Sequence, residues 1–531
     1  MNRLLAYLTS IVIVLLVLEG GARLIGMRPT VTINRFDRDL GWVKEPASST
    51  RKQTSEYDIR FAINSQGLRD DEVPYQKPAG EYRILVCGDS FTLGYTVDRD
   101  DLFVDLLERA LRQSGLPKAQ VLNGGTEGYS TDQELAWLRR EGLKYHPDLV
   151  ILAAYQNDIY WNGETAYLDK GKPRFSAAGD AAEPENVPLE ETGRTSWLAR
   201  HSAIAGTASN LLKALRYGSA MSFANASGVW MPREDAVVLR SEPAFITGAY
   251  ARTRACLRGF HKTLQEAKIP GLVVLIPSRE QVQDESRPDY QQKYRLAAPD
   301  WDPDLPTTRL AQMCAEVGLD HYQPLAALRS AHEQSRAPLY FAKDWHFNAA
   351  GNHVFADALA RELGSSYLAD RKLTLTLGTT STPASRGGLP TWLLVVVGIW
   401  LVLSLIYALS YRDEHPALAP VKIGLMIGTV VGIIAGMNAL AQLIGPSFLK
   451  WVLVGAAAIV ALVILFRPHQ FARFCRSVLN KIAIMREVMG SFVNRGMWYM
   501  LPLLVGMLTL GSLLVVAASS PFIAPFIYTL F

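Results

Sequence analysis

Ser90, His346 and Asp344 are residues whose types and order suit acyl-transfer chemistry. A serine hydroxyl is a weak nucleophile; it becomes effective when a base takes its proton and N–H donors hold the oxyanion that forms. Ser90 follows the β-rich run Tyr82 to Cys87 (Y-R-I-L-V-C) through Gly88 and Asp89, where a strand should turn into a helix. That place exposes the side chain, points the backbone N–H into a site and adds the partial positive charge of a helix start. His346 is the candidate base, in a polar and aromatic loop before a helix, and Asp344 can orient its ring and stabilise the imidazolium. The oxyanion donors would be the Ser90 N–H, the Gly128 N–H and the Asn157 side chain. The blander accounts are a helix N-cap for Ser90 and a structural histidine for His346. His353 is a rival base, but it falls within the following helix.

These residues need a scaffold that brings them to one place. Strands are expected at Tyr82–Cys87, Ala119–Asn123, Leu149–Ala154 and Gly271–Ile276, with helices at Phe103–Leu111, Thr131–Lys144, Pro243–Ala267, Thr308–Val317 and Ala349–Leu363. Alternating strands and helices imply an α/β fold with a parallel sheet covered on both faces. Ligands of such sheets bind beyond the carboxyl ends of the strands. Ser90, the Gly128 loop and Asn157 each follow a strand closely, so parallel strands would bring them to one rim. Residues 159–242, mixed and rich in Gly, Ala, Ser, Pro and Glu, read as an insertion that could serve as a lid. Upstream, Asn64, Gly67 and Arg69 in F-A-I-N-S-Q-G-L-R-D read as a surface turn, the alternative being a turn that reaches a site.

Four ordered blocks resemble the SGNH (GDSL-type) hydrolase superfamily: G-D-S-F at Gly88–Phe91, G-G-T-E-G at Gly124–Gly128, Q-N-D at Gln156–Asp158 and D-W-H-F-N-A-A-G at Asp344–Gly351. The resemblance runs from about Tyr82 to Leu363. It implies a flavodoxin-like sheet with helices on both faces, the family's roles for Ser90, Gly128, Asn157 and His346, and no metal or cofactor. Two departures stand out. Tyr155 occupies the glycine position of the usual G-x-N-D, and D-x-H replaces the common D-x-x-H, which puts the Asp344–His346 hydrogen bond in question.

The 54 Lys and Arg against 50 Asp and Glu leave a net charge of only +4, too weak to argue for nucleic acid. Cys87, Cys256, Cys314 and Cys475 form no C-x-x-C pair and no zinc spacing. Cys87 reads as a core residue, and pairing of Cys256 with Cys314 stays an open alternative.

Apolar runs flank this middle region. Leu4 to Leu18, extended to Gly26, is either a cleaved signal or an anchor, and the lack of a clean A-x-A site favours an anchor. Further runs at Leu389–Ser410, Ile423–Ile444, Phe448–Phe466 and Trp498–Ala518 each approach the ~20 residues a helical span needs. With Met1 cytoplasmic, the middle region lies outside and the loop carrying Arg467, Arg473, Arg476, Lys481, Arg486 and Arg495 lies inside, as basic loops prefer. That loop also reads as an amphipathic helix, either on anionic lipid or packed on neighbouring helices.

The expected organisation is therefore an anchor (1–26), an extracytoplasmic extension (27–80), a hydrolase-like domain (81–368) with its insertion, a linker (369–388) and an all-α membrane region (389–531). The tail Met497–Phe531 resembles a small uncharacterised bacterial membrane family, and Val421–Arg467 more loosely a membrane protein of saxitoxin-type gene clusters. Three functions are in play: an esterase acting on acylated envelope or secreted carbohydrate, lipid or small molecules; an O-acyltransferase using the same serine; and a membrane assembly protein with a relic domain. The expected partners are an acylated substrate, the lipid bilayer and membrane proteins met through the C-terminal helices, and the expected location is a bacterial inner membrane with the catalytic domain on its outer face.

Overall fold

Every residue of Tyr82–Gly88 and of Leu149–Ala154 is buried, as strands covered on both faces must be. The structure is a computed structural model. It describes residues 33–371 apart from Ser55, 179–181, 194–195 and Ser219, together with Glu19, Gly20, Ala22, Arg23 and Pro29. The expected anchor run, most of the linker and the four C-terminal spans lie outside the described residues. Among those described, no helix is long and apolar enough to cross a membrane.

Two antiparallel hairpins open the described chain: β1 (Asn34–Asp37) with β2 (Gly41–Lys44), and β3 (Ser49–Gln53) with β4 (Asp58–Ala62). Then come β5 (Tyr82–Gly88), helix α1 (Ser90–Leu93), α2 (Phe103–Gln113), β6 (Ala119–Asn123), α3 (Thr131–Arg140), β7 (Leu149–Ala154) and α4 (Asn157–Trp161). The insertion holds the short pair β8 (Ala166–Tyr167) and β9 (Lys170–Gly171), helices α5 (Trp197–His201) and α6 (Ala203–Gly218), and the pair β10 (Ser222–Ala224) and β11 (Trp230–Pro232). After it follow α7 (Ala244–Ala267), β12 (Gly271–Leu275), α8 (Arg279–Val282), α9 (Arg287–Tyr294), α10 (Leu305–Val317), β13 (Asp320–Tyr322), α11 (Leu325–Ser335) and α12 (Ala349–Ser365).

The main sheet has the order β13-β12-β7-β5-β6, and all its pairings are parallel. Side chains alternate between its faces. Leu85, Cys87, Val150, Leu152, Val273 and Leu275 pack on one side with α3, α7 and α10. Ile84, Val86, Leu149, Ile151, Leu272 and Val274 pack on the other with α2 and α12. Phe103 of α2 meets Phe355 of α12 edge to face, with centroids 4.9 Å apart. Truncating such a buried ring costs about 3–5 kcal/mol.

The expected strands fall within a residue of those observed. Helix α11 was not anticipated, and neither was the pairing of residues 34–62 into hairpins. Cys256 and Cys314 are separate, buried free thiols.

Candidate active site

The first turn after β5 places Ser90. A Cβ on Gly88 would lie 2.1 Å from Thr92 Oγ1 and 3.1 Å from the Ala153 carbonyl, so only glycine lets the chain turn back this tightly. Asp89, not Ser90, caps the helix: its Oδ1 accepts the Phe91 N–H at 2.8 Å. Ser90 is thus spared for other partners, contrary to the N-cap account. Helix α1 is a single turn of four residues, so its macrodipole is small and its uncommitted N–H groups matter more. Phe91 packs against His346 and Tyr155, with ring centroids at 4.5 and 4.6 Å. Tyr155 therefore flanks α1, the helix that carries Ser90.

The loop 340–347 carries the other two residues. It is closed by a bridge between Tyr340 and Phe347 and by a hydrogen bond from the Phe341 N–H to the His346 carbonyl at 2.9 Å. Ser90 Oγ lies 2.7 Å from His346 Nε2. His346 Nδ1 lies 2.6 Å from Asp344 Oδ1. One residue separates the two, and Trp345 adopts φ +67°. That left-handed turn brings both side chains to the same side and makes up for the missing residue of D-x-x-H. Burial alone would raise the Asp344 carboxyl, but His346, Lys52 and the Tyr57 hydroxyl outweigh it and hold it well below the usual carboxylate range. A hydroxyl, an imidazole and a carboxylate in this line can move a proton off the serine as the serine attacks.

The rim also holds the two other expected donors. Gly128 takes φ +72°, and a Cβ there would stand 2.7 Å from the Tyr167 ring of the insertion. Asn157 opens α4, beside Asp89, and its Oδ1 is buried without a hydrogen-bond partner among the described residues. Asp158 holds this turn by accepting the Tyr155 N–H at 3.1 Å. Beneath the rim lies a buried acidic layer. Burial pushes Asp89 up to about 6, against the pull of His346. Glu134 is raised further by burial and by the charges of Asp158, Asp89 and Asp132. His353, the rival base, sits on α12 and bonds Asp101 at 3.0 Å, well apart in its contacts from Ser90.

The N-terminal hairpins supply site residues that sequence reasoning missed. The Tyr57 hydroxyl donates to Asp344 Oδ2 at 2.6 Å. Glu56 accepts the backbone N–H groups of Lys343 and Asp344. Lys52 lies 3.4 Å from the Tyr95 ring centroid, and burial pushes its ammonium down to about 8 while Asp344 opposes the shift. The first hairpin holds the Gly128 loop: Trp42 Nε1 donates to the Glu127 carbonyl at 3.1 Å, and the Lys44 ammonium pairs with the Glu127 carboxylate. The Asn64–Arg69 segment is a correction to the surface-turn expectation. Arg69 is only 1% exposed and donates to the carbonyls of Leu93, Gly94 and Val97, at the carboxyl end of α1 and in the turn that follows it. The pattern N-S-Q-G-L-R-D carried the signal; Tyr57 and Lys52 had none, because their partner lies 287 and 292 residues away in sequence.

The insertion is fixed to this rim. Lys172, wholly buried, pairs with Asp132 at the start of α3 and donates to the Trp161 carbonyl at 2.8 Å. Among the described residues no group of three or more His, Cys, Asp or Glu is arranged to hold a metal ion.

The family described as GDSL-like lipase/acylhydrolase matches residues 86–354, half of the chain. The chain belongs to this family. It is accordingly a serine hydrolase acting on ester bonds. The acylhydrolase match begins inside β5, so both N-terminal hairpins lie before it. A second family, of unknown function (DUF5989), matches residues 482–531. Similar solved structures include an acetylxylan esterase from Geobacillus stearothermophilus, at 13% identity over 54% of this chain and 97% of that chain with a TM-score of 0.30. Another is a lipase/acylhydrolase from Enterococcus faecalis, at 15% identity over 56% of this chain and 100% of that chain with a TM-score of 0.26. No curated protein matches the chain.

Proposed function

We propose that Ser90 attacks the carbonyl carbon of an acyl ester and forms an acyl-enzyme. His346 takes the hydroxyl proton and passes it to the leaving alcohol, Asp344 steadies the imidazolium, and the Ser90 N–H, Gly128 N–H and Asn157 amide hold the oxyanion. Water, activated in turn by His346, then releases the acid. The observation that carries this reading is the continuous line Ser90 Oγ–His346 Nε2 at 2.7 Å and His346 Nδ1–Asp344 Oδ1 at 2.6 Å.

The acyl group in this reading is short, with acetyl the leading candidate. It is supported by the aromatic rings around the site, Phe91 packed on both His346 and Tyr155 and Tyr167 against Gly128. The alcohol is an envelope or secreted carbohydrate, lipid or small molecule, and the enzyme works from the outer face of a membrane to which its apolar termini attach it. The charge of the Arg467–Met497 loop supports that orientation.

The test is hydrolysis of p-nitrophenyl acetate and of acetylated sugars by the full chain in detergent, beside Ser90→Ala and His346→Ala. Both variants should fall to background. Undiminished turnover by Ser90→Ala would overturn the assignment, and turnover that depends on an added acceptor alcohol would replace hydrolysis by O-acyl transfer. For the orientation, alkaline phosphatase fused to the C-terminus should be active, because five spans leave that end outside.

A further inference from the structure

A carboxylate that serves a histidine has two oxygens, and only one can face the ring. Asp344 is nearly closed off, with its side chain 3% exposed. Its Oδ1 is committed to His346. Left alone, Oδ2 would be a buried charged acceptor without a donor, and the carboxylate would be free to swing about its Cβ–Cγ bond. The Tyr57 hydroxyl fills that place at 2.6 Å. Tyr95 stands less well, 3.5 Å from Oδ1 and 3.3 Å from His346 Nδ1, so it flanks the pair without satisfying the second oxygen.

The segment that brings Tyr57 is built around this contact. Thr54 Oγ1 accepts the N–H groups of Glu56 and Tyr57 and shapes the β3–β4 turn. Glu56 grips the backbone of Lys343 and Asp344 while Tyr57 grips the Asp344 side chain. The Tyr57 ring is 7% exposed and packs on Phe341, with centroids 5.2 Å apart. Two adjacent residues of one turn therefore hold both the main chain and the side chain of Asp344.

We propose that Tyr57 is a positioning residue for the reacting histidine: its phenol, carried by a hairpin outside the family-matched segment, fixes the Asp344 carboxylate against His346. This rests on the Ser90–His346–Asp344 reading above. Tyr57 touches no reacting atom and acts only through Asp344. The titratable groups facing the pair are Lys52, Glu56 and Tyr57 from the N-terminal hairpin, Asp89 and Tyr95 from either side of α1, and His346 from the loop; Tyr57→Phe leaves all but the phenol in place. Burial and Asp344 both raise the Tyr57 phenol far above its ordinary range, so it stays a donor throughout the working pH range.

The experiment is the pH profile of p-nitrophenyl acetate hydrolysis by the full chain. Tyr57→Phe keeps the ring and removes the donor. Without it Asp344 attracts the imidazolium more strongly, so the acid limb of kcat/KM should move to higher pH by about half a unit, with kcat lower by about tenfold and KM unchanged. Replacing Tyr57 by 3-fluorotyrosine makes a stronger donor in the same shape and should move that limb the other way; it also covers the case in which Tyr57→Phe does not fold. Wild-type kcat and pH profile in either folded variant would overturn the proposal and reduce Tyr57 to core packing. Ser90→Ala separates the two readings: if it stays active, the site itself is wrong, whereas an inactive Ser90→Ala beside an unchanged Tyr57→Phe removes only the positioning role.

Discussion

Asp344 reaches His346 across a single residue because Trp345, between them, sits at φ +67°. Left-handed backbone costs a non-glycine residue about 1 kcal/mol or more. The loop sustains it through the bridge between Tyr340 and Phe347 and through the Trp345 ring, which lies within 5.2 Å of the Arg279 guanidinium and 5.1 Å of the Lys293 ammonium. Trp345→Gly should therefore keep the Asp344–His346 bond and retain kcat within about threefold, since glycine adopts this φ freely. Trp345→Pro fixes φ near −65° and should abolish turnover, as should Asp344→Asn by about 10³-fold or more. Steady-state kinetics on the three variants decides it; equal loss in the glycine and proline variants would mean that the indole, not the turn, matters.

Arg69 holds three carbonyls at the end of α1 and in the turn after it. Burial pushes its guanidinium down to about 10, and even so it remains charged at neutral pH. Arg69→Met keeps much of the bulk but orphans those acceptors. A loss of about 3 kcal/mol is expected, read as a fall in thermal midpoint. Unchanged stability would show that water replaces the guanidinium.

Glu134 has neither carboxylate oxygen hydrogen-bonded among the described residues and is fully buried. Its carboxyl is raised well above the ordinary 4.5, first by burial and then by Asp158, Asp89 and Asp132. The folded protein thus keeps a proton that the unfolded chain releases above pH 4.5, so stability falls as pH rises from there through the raised value. Glu134→Gln removes the charge without changing the shape. Its thermal midpoint should exceed the wild type's at pH 8 and approach it at pH 4, as scanning calorimetry at the two pH values would show.

Lys52 works in the opposite sense. Burial depresses its ammonium to about 8, with Asp344 resisting. Between pH 8 and the ordinary 10.5 the unfolded chain binds a proton that the folded chain has lost, so stability rises with pH across that window. Lys52→Met should melt higher than the wild type at pH 7, and the gap should close by pH 10. A gap that does not change with pH would assign the effect to packing against Tyr95.

Much of the scaffold was readable because parallel strands buried on both faces appear as short β-branched and leucine-rich runs such as L-V-I-L-A-A at Leu149–Ala154. Ser90, the Gly128 loop and Asn157 could be expected near one rim because each follows such a run closely. The expected surface turn at Asn64–Arg69 was misjudged for a different reason: Asn and Gly signal a turn, but burial depends on what packs over it. Here Arg69 turns inward to α1.

The sequence by itself determined four of the five strands of the sheet and the order of the main helices between them, because local periodicity suffices for these. Only the tertiary structure decided that Asp344 meets His346, since D-x-H is ambiguous until the sign of φ at Trp345 is known. Only it revealed that the segment before the family match supplies Tyr57, Glu56, Lys52 and Arg69 to the site. Contacts between residues nearly 300 positions apart leave no periodic trace in the chain; they arise when folding removes a charged carboxylate from water and another side chain must take water's place.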